Sequence, residues 1–265
     1  MGGGIMESNY NAQRTRNLFS VNDQELFKLS RSRIENFVRC PRCFYLDRKH
    51  GVDQPPMFPY TLNNAVDALL KKEFDLYRVQ GTKHPYLIEH DIDAIPFNHP
   101  ELDTWRMNQR GVRYEHNATG FLVHGAVDDI WVTPEGELIV VDYKATSTQK
   151  EVSLTDRDSY KRQMEVYQWL LRKNGFTVSN TGYFVYCNGD ADREGFSDTL
   201  NFTISLLSYE GNDAWVDVTL DAIKNCLSSE VLPPCTATCN YCNYVESVNK
   251  HVAALTDQKR GDASC

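Results

Sequence analysis

At 265 residues and 41% hydrophobic content, the chain can bury one large core, or a core with an appended subdomain. No run approaches the roughly 20 apolar residues of a membrane span, and the opening residues lack a signal segment, so the sequence reads as a soluble, cytoplasmic protein. A net charge of −8 argues against binding nucleic acid through a general basic field, but leaves room for a local cationic patch beside an acidic metal site.

In chain order, residues 1–29 read as a flexible lead-in, 30–255 as a single domain and 256–265 as a flexible tail. A local basic patch, or else scattered solvated charges, lies in KLSRSRIENFVRCPRCFYLDRK, with Arg31, Arg33, Arg39, Arg42, Arg48 and Lys49. Within it, Ser32 and Glu35 form a capping box for a short helix that Pro41 ends. GVDQPPMFP follows as a linker. Thr61 to Arg78 is a strong amphipathic helix with Leu62, Val66, Leu69, Leu70, Phe74 and Tyr77 on one stripe. WRMNQRG, from Trp105, predicts a short helix.

GFLVHGAVDDIWVT and ELIVVDYKA flank the turn PEGE, which predicts a hairpin. With the turn centred near Glu135, facing residues have numbers that sum to about 270, so Asp142 lies opposite Asp128. Facing carboxylates repel unless a cation lies between them, and hard oxygen donors suit Mg²⁺ or Mn²⁺. The two-residue period of a strand puts Lys144 on the face of Asp142, while Val141 and Tyr143 point away. The Tyr143 carbonyl is a further candidate ligand, and Asp129 reads as a supporting or solvated acid. The bland alternative is an ordinary hairpin ending in surface charges. His124 shares the strand and face of Asp128, where it reads as a satisfied sheet histidine rather than a site residue.

Asp156 to Gly175 is a second strong helix, with Gln163 and Tyr167 four apart on one face. TGYFVYC and LNFTISLLSY are strand-like, VDVTLDAIKNCLSS is helical, and a last helix is expected from about Tyr244 to Leu255. GDADREG lacks the closing acid of a calcium loop and reads as a solvated hairpin loop. Eight cysteines include Cys40 and Cys43 near one end and Cys235, Cys239 and Cys242 near the other, a spacing that suits one soft metal or reduced thiols.

HGAVDDIWV followed by LIVVDYKA resembles the core of the PD-(D/E)xK nucleases, and YKRQMEVYQWLL resembles the Q-x-x-x-Y motif of their RecB-type branch. The resemblance implies an α/β, restriction-endonuclease-like fold: a mixed central sheet flanked by helices, plus a cysteine-bearing helical region joining the two ends. It implies Asp128, Asp142 and Lys144 as catalytic residues, with Gln163 and Tyr167 beside them positioning substrate. The family's upstream helix presents a glutamate or histidine to the metal. Here that helix offers Asn64, Asp67 and Glu73, and Asp67, close to the apolar stripe, is taken as the ligand. C-P-R-C-F-Y is similar to a segment of CRISPR-associated RecB-like exonucleases, which implies a [4Fe–4S] cluster on Cys40, Cys235, Cys239 and Cys242, with Cys43 as alternate. A structural zinc and plain buried thiols remain open alternatives.

The function expected is a Mg²⁺- or Mn²⁺-dependent deoxyribonuclease, an exonuclease in DNA repair, recombination or defence. Its partners would be single-stranded DNA or DNA with free ends, and a helicase or other repair or defence protein. The alternative is a nuclease-fold protein that binds nucleic acid or a protein without cleaving.

Overall fold

Phe27 and Leu29 alternate with exposed Lys28 and begin the first strand inside the stretch read as lead-in. The computed structural model describes residues 14–55 and 60–262, with side chains through residue 256. The remainder of the lead-in, part of the GVDQPPMFP linker and the last residues of the expected tail lie outside the described residues. After β1 (Phe27–Ser30) come α1 (Arg31–Arg39), α2 (Pro41–His50), α3 (Thr61–Gln80), α4 (Pro85–Glu89), β2 (Ile95–Pro96) and α5 (Leu102–Trp105). β3 (Val112–His116), β4 (Phe121–Gly125), β5 (Asp129–Val132) and β6 (Leu138–Thr146) follow. The chain then forms α6 (Asp158–Lys173), β7 (Thr181–Gly189), β8 (Phe202–Glu210), α7 (Trp215–Ser228) and α8 (Asn240–Asp262).

These elements cluster into two compact units. A sheet unit takes residues 26–32 and 58–220, and a helical unit takes the described residues of 14–25, 33–55 and 221–262.

In the sheet unit, a five-stranded mixed sheet runs β2-β5-β6-β7-β8, and a three-stranded sheet runs β1-β4-β3. β6 and β7 are parallel, a pairing that needs a long crossover, and α6 supplies it. On one face of the larger sheet, Leu70 and Phe74 of α3 join Trp131, Ile139, Val141, Tyr143, Val185 and Cys187 in a buried cluster. The alternate residues of β6, including Asp142 and Lys144, therefore occupy the opposite face. The amphipathic stripe of α3 is narrower than its sequence suggests, because Leu62 and Leu69 are 58% and 63% exposed.

The hairpin register holds, with Ile130 opposite Val140 and Asp129 opposite Val141. The first strand of that hairpin is not continuous. β4 belongs to the small sheet and β5 to the large one, and the chain changes sheets at Ala126–Asp128. Close packing accompanies the change: a Cβ on Gly125 would lie 2.7 Å from the Tyr167 ring. The helix expected to start at Trp105 ends there instead, as α5.

In the helical unit, α1 ends at Arg39 ahead of Pro41 as expected, and Pro41 then opens α2 as its first residue, where a missing N–H costs nothing. α8 starts at Asn240, earlier than Tyr244, and continues through the expected tail to Asp262. Most of the basic patch is consumed internally. Buried Asp47 pairs with Arg14, with Arg33 at 2.8 Å and with Arg48 at 2.7 Å. Arg42 donates to the Pro233 carbonyl and Lys49 to that of Ser229. No helix among the described residues is long and apolar enough to cross a membrane.

Candidate active site

At the sheet change, a cavity of about 520 Å³ is lined by Asp67, Asp128, Tyr143, Lys144 and Gln163, with Asn64, Arg31, Lys71, Arg106 and Tyr160 among the others. Asp142 is wholly buried and does not line it, but forms an ion pair with Lys144, which does. The main-chain N–H of Tyr143 donates to Asp128 Oδ2 at 3.0 Å, tying the two hairpin strands together where the carboxylates meet. In a strand, the carbonyl of a residue points to the same edge as its N–H, so the Tyr143 carbonyl shares the Asp128 side.

Asp142 forms an ion pair with Lys144, yet neither of its oxygens makes a well-formed hydrogen bond. Burial raises its pKa, which the Lys144 charge counters and the Asp128 charge reinforces, with a result of about 6. Burial pulls the Lys144 ammonium down, but Asp142 and Asp128 outweigh it and the pKa rises. Lys144 is therefore held as a cation, suited to stabilise negative charge rather than to accept a proton. Its Nζ donates to Gln163 Oε1 at 3.3 Å, and Gln163 Nε2 donates to the Tyr167 hydroxyl at 3.1 Å. Gln163 and Tyr167 thus form one chain with the lysine.

Asp67 reaches the cavity from α3. Burial raises its pKa, Lys71 opposes that at 2.8 Å, and Asp128 adds to it. Lys71 also lies 3.6 Å from Asp128 Oδ1. A buried carboxylate with unsatisfied oxygens, beside two more carboxylates, is a donor set of hard oxygens that fits a divalent cation such as Mg²⁺ or Mn²⁺. Of the other α3 acids, Glu73 turns away to His84 at 3.1 Å. His124 lies in β4 and does not line the cavity, and its Nδ1 is buried without a hydrogen bond, so it is not the satisfied histidine expected.

Asp129 is neither solvated nor peripheral. Fully buried, it accepts from Arg78 and Arg106, from the Ile130 amide at 2.8 Å and from the Tyr143 hydroxyl at 2.7 Å. Arg106 also clamps Asp75 through two contacts of 3.0 Å and donates to the Asp128 carbonyl at 3.1 Å. This network fixes the backbone that carries Asp128. Nothing in the sequence marks Arg78 and Arg106 as parts of this network, or Lys71 and Arg31 as lining the cavity. Of these four, only Arg31 falls in the basic patch, and its charge lowers the pKa of Asp142.

A second cluster lies within the helical unit. The thiols of Cys40, Cys43, Cys239 and Cys242 all fall within 4.8 Å of one another, forming a group able to bind a metal. Cys43, the alternate, takes the place expected for Cys235. The reason is helical: Cys40 and Cys239 immediately precede α2 and α8, and Cys43 and Cys242 lie in their first turns, so each C-x-x-C presents two sulfurs on one side. Cys235 lies outside any helix. Sulfur separations of 3.5, 3.6 and 3.8 Å match the edge of about 3.8 Å of a tetrahedron built on zinc–sulfur bonds of about 2.3 Å. Burial pushes the Cys40 thiol up, but bonds from the Cys43 and Thr236 amides and from neighbouring thiols bring it down to about 7, whereas burial raises Cys43 to about 12 and raises Cys242 as well, so without a metal the four share few thiolates.

The family model of the PD-(D/E)XK nuclease superfamily matches residues 28–247. The chain belongs to this superfamily. The PD-(D/E)XK assignment covers the whole sheet unit except its first two residues and includes all four clustered cysteines. No curated protein matches the chain. Among solved structures, one titled "Crystal structure of SSO0001" matches with 18% identity over 80% of each chain and a TM-score of 0.37.

Proposed function

We propose that the chain is a Mg²⁺- or Mn²⁺-dependent deoxyribonuclease of the RecB-type branch, similar to CRISPR-associated RecB-like exonucleases. It hydrolyses phosphodiester bonds as an exonuclease in cytoplasmic DNA repair, recombination or defence, with a helicase or another repair or defence protein as partner. The observation that carries this reading is the meeting of Asp128, Asp142, Lys144 and Asp67 around one cavity. Asp128, Asp142, Asp67 and the Tyr143 carbonyl hold the cation. When bound, it supplies Lewis acidity toward a phosphate oxygen and acidifies water. Lys144 stabilises negative charge growing on the phosphate, in a setting that keeps it protonated. Gln163 orients the lysine and, with Tyr167, positions the strand.

The four-cysteine cluster is proposed as a structural metal centre. Its sulfur spacings support a single zinc, and the sequence resemblance supports [4Fe–4S]; an ultraviolet–visible spectrum with metal analysis distinguishes them. The hydrolytic reading is tested on single- and double-stranded DNA labelled at the 5′ or 3′ end, with Mg²⁺ or Mn²⁺. Cleavage is expected and should vanish in Asp142→Ala; cleavage that survives the substitution removes the site assignment. DNA binding without cleavage on every substrate would leave the alternative of a non-cleaving nuclease fold.

A further inference from the structure

The carboxylate cavity continues into a second concavity of about 500 Å³. Tyr60, Asn63, Val66, Ala145 and Tyr160 line both. The chemistry changes along this groove. The first half carries Asp67, Asp128, Lys71, Lys144 and two arginines, whereas among the described residues no charged side chain lines the second, where Leu62, Leu200 and Phe202 appear. At the junction Tyr60 is 66% exposed, and the Lys144 ammonium lies 4.6 Å from the centre of the Tyr160 ring.

A DNA strand has the same two-part chemistry, a charged phosphate beside an uncharged base with a π face. Inside a duplex, both faces of a base are covered by its neighbours, so only an unpaired base offers one to a protein ring. We propose that the uncharged half of the groove is a base-stacking subsite, in which the unpaired base adjoining the phosphate at Asp128 and Lys144 lies against Tyr60 and Tyr160. The preferred substrate is then single-stranded DNA or a frayed end. Continuity with the carboxylate cavity, and the absence of charge, distinguish this occupant from an acidic or basic protein segment. This inference rests on the hydrolytic reading of the carboxylate site.

The test is a binding cross. Asp142→Asn protein, with Tyr60 intact or changed to Ala or Phe, is titrated with short fluorescent single strands that are either intact or carry one abasic position, moved stepwise from the end. Tyr60→Ala should weaken the intact strand about tenfold and leave one abasic strand nearly unaffected, with Tyr60→Phe retaining affinity. Equal loss on intact and abasic strands, no loss, or tighter binding of blunt duplexes overturns the subsite. A change in the protein's sedimentation with Tyr60→Ala also overturns it, since the face would then be a contact between copies. If wild-type protein cuts DNA in an Asp142-dependent way without this coupling, only the subsite falls. If it neither binds nor cuts DNA, both readings fall.

Discussion

Asp142 is raised to about 6 chiefly by burial, and the sign of its effect on stability follows. An aspartate in the unfolded chain titrates near 3.9, so between about pH 4 and 6 the metal-free folded state binds the extra proton. The group's contribution is complete below pH 4 and lost as pH rises through 6, on the order of 3 kcal/mol. Melting in a chelator should therefore show Asp142→Asn gaining on wild type between pH 4.5 and 6, then holding a constant advantage. A difference independent of pH would refute the shift. Asp129 matters for a different reason, because its carboxylate neutralises Arg78 and Arg106 in a dry setting. Asp129→Ala leaves two nearly buried guanidiniums with only the more exposed Asp75 as counter-charge and should cost about 3 kcal/mol in denaturant unfolding, although Asp129 does not line the cavity. At this scale Asp128, Asp142 and Lys144 were legible, because strand period and turn position alone assign their faces. The contacts of Lys71 with Asp128 and of Arg78 and Arg106 with Asp129 were not, since they span 23 to 57 residues of chain, and no periodicity records such a meeting.

Among the elements, the two C-x-x-C helix starts use one device twice. A cysteine before the helix and another in its first turn bring their sulfurs together without any loop design. Cys43→Ser should abolish metal uptake by the purified protein, and Cys235→Ser should leave it unchanged, as elemental analysis will read; the reverse pattern would restore the sequence-based assignment. That assignment chose wrongly because Asn240–Asn243 shows no apolar repeat, which hid the start of α8 and the direction of its first thiol. The strong helices α3 and α6 and the hairpin register were legible from apolar spacing. The change of sheets after Gly125 was not. No proline or turn dipeptide interrupts GFLVHGAVDDIWV, and the division arises because β4 pairs with β1 and β3 while β5 pairs with β2 and β6.

Across the whole molecule, the net charge of −8 coexists with cations gathered in one cavity, so the global balance does not describe the binding surface. The cysteine cluster has a molecule-wide effect of a different kind, since it joins positions 196 to 202 residues apart. A metal that binds only the folded arrangement stabilises it by mass action. Chelation should thus lower the melting temperature of wild type and leave that of Cys43→Ser unchanged. An equal effect on both would show that the chelator acts elsewhere.

The same separation has a consequence in time. The ribosome makes Cys43 196 residues before Cys239, an interval of about 10–40 s at ordinary elongation rates. Throughout it only two of the four sulfurs exist, and the sheet unit, complete at residue 220, emerges ahead of α8. Chains arrested before Cys239 should leave Cys40 open to alkylation, while released chains loaded with metal should protect it. Protection already present in the arrested chains would contradict that order. Metal loading is then a late step in biosynthesis, open to the chain only once the first turn of α8 has been made.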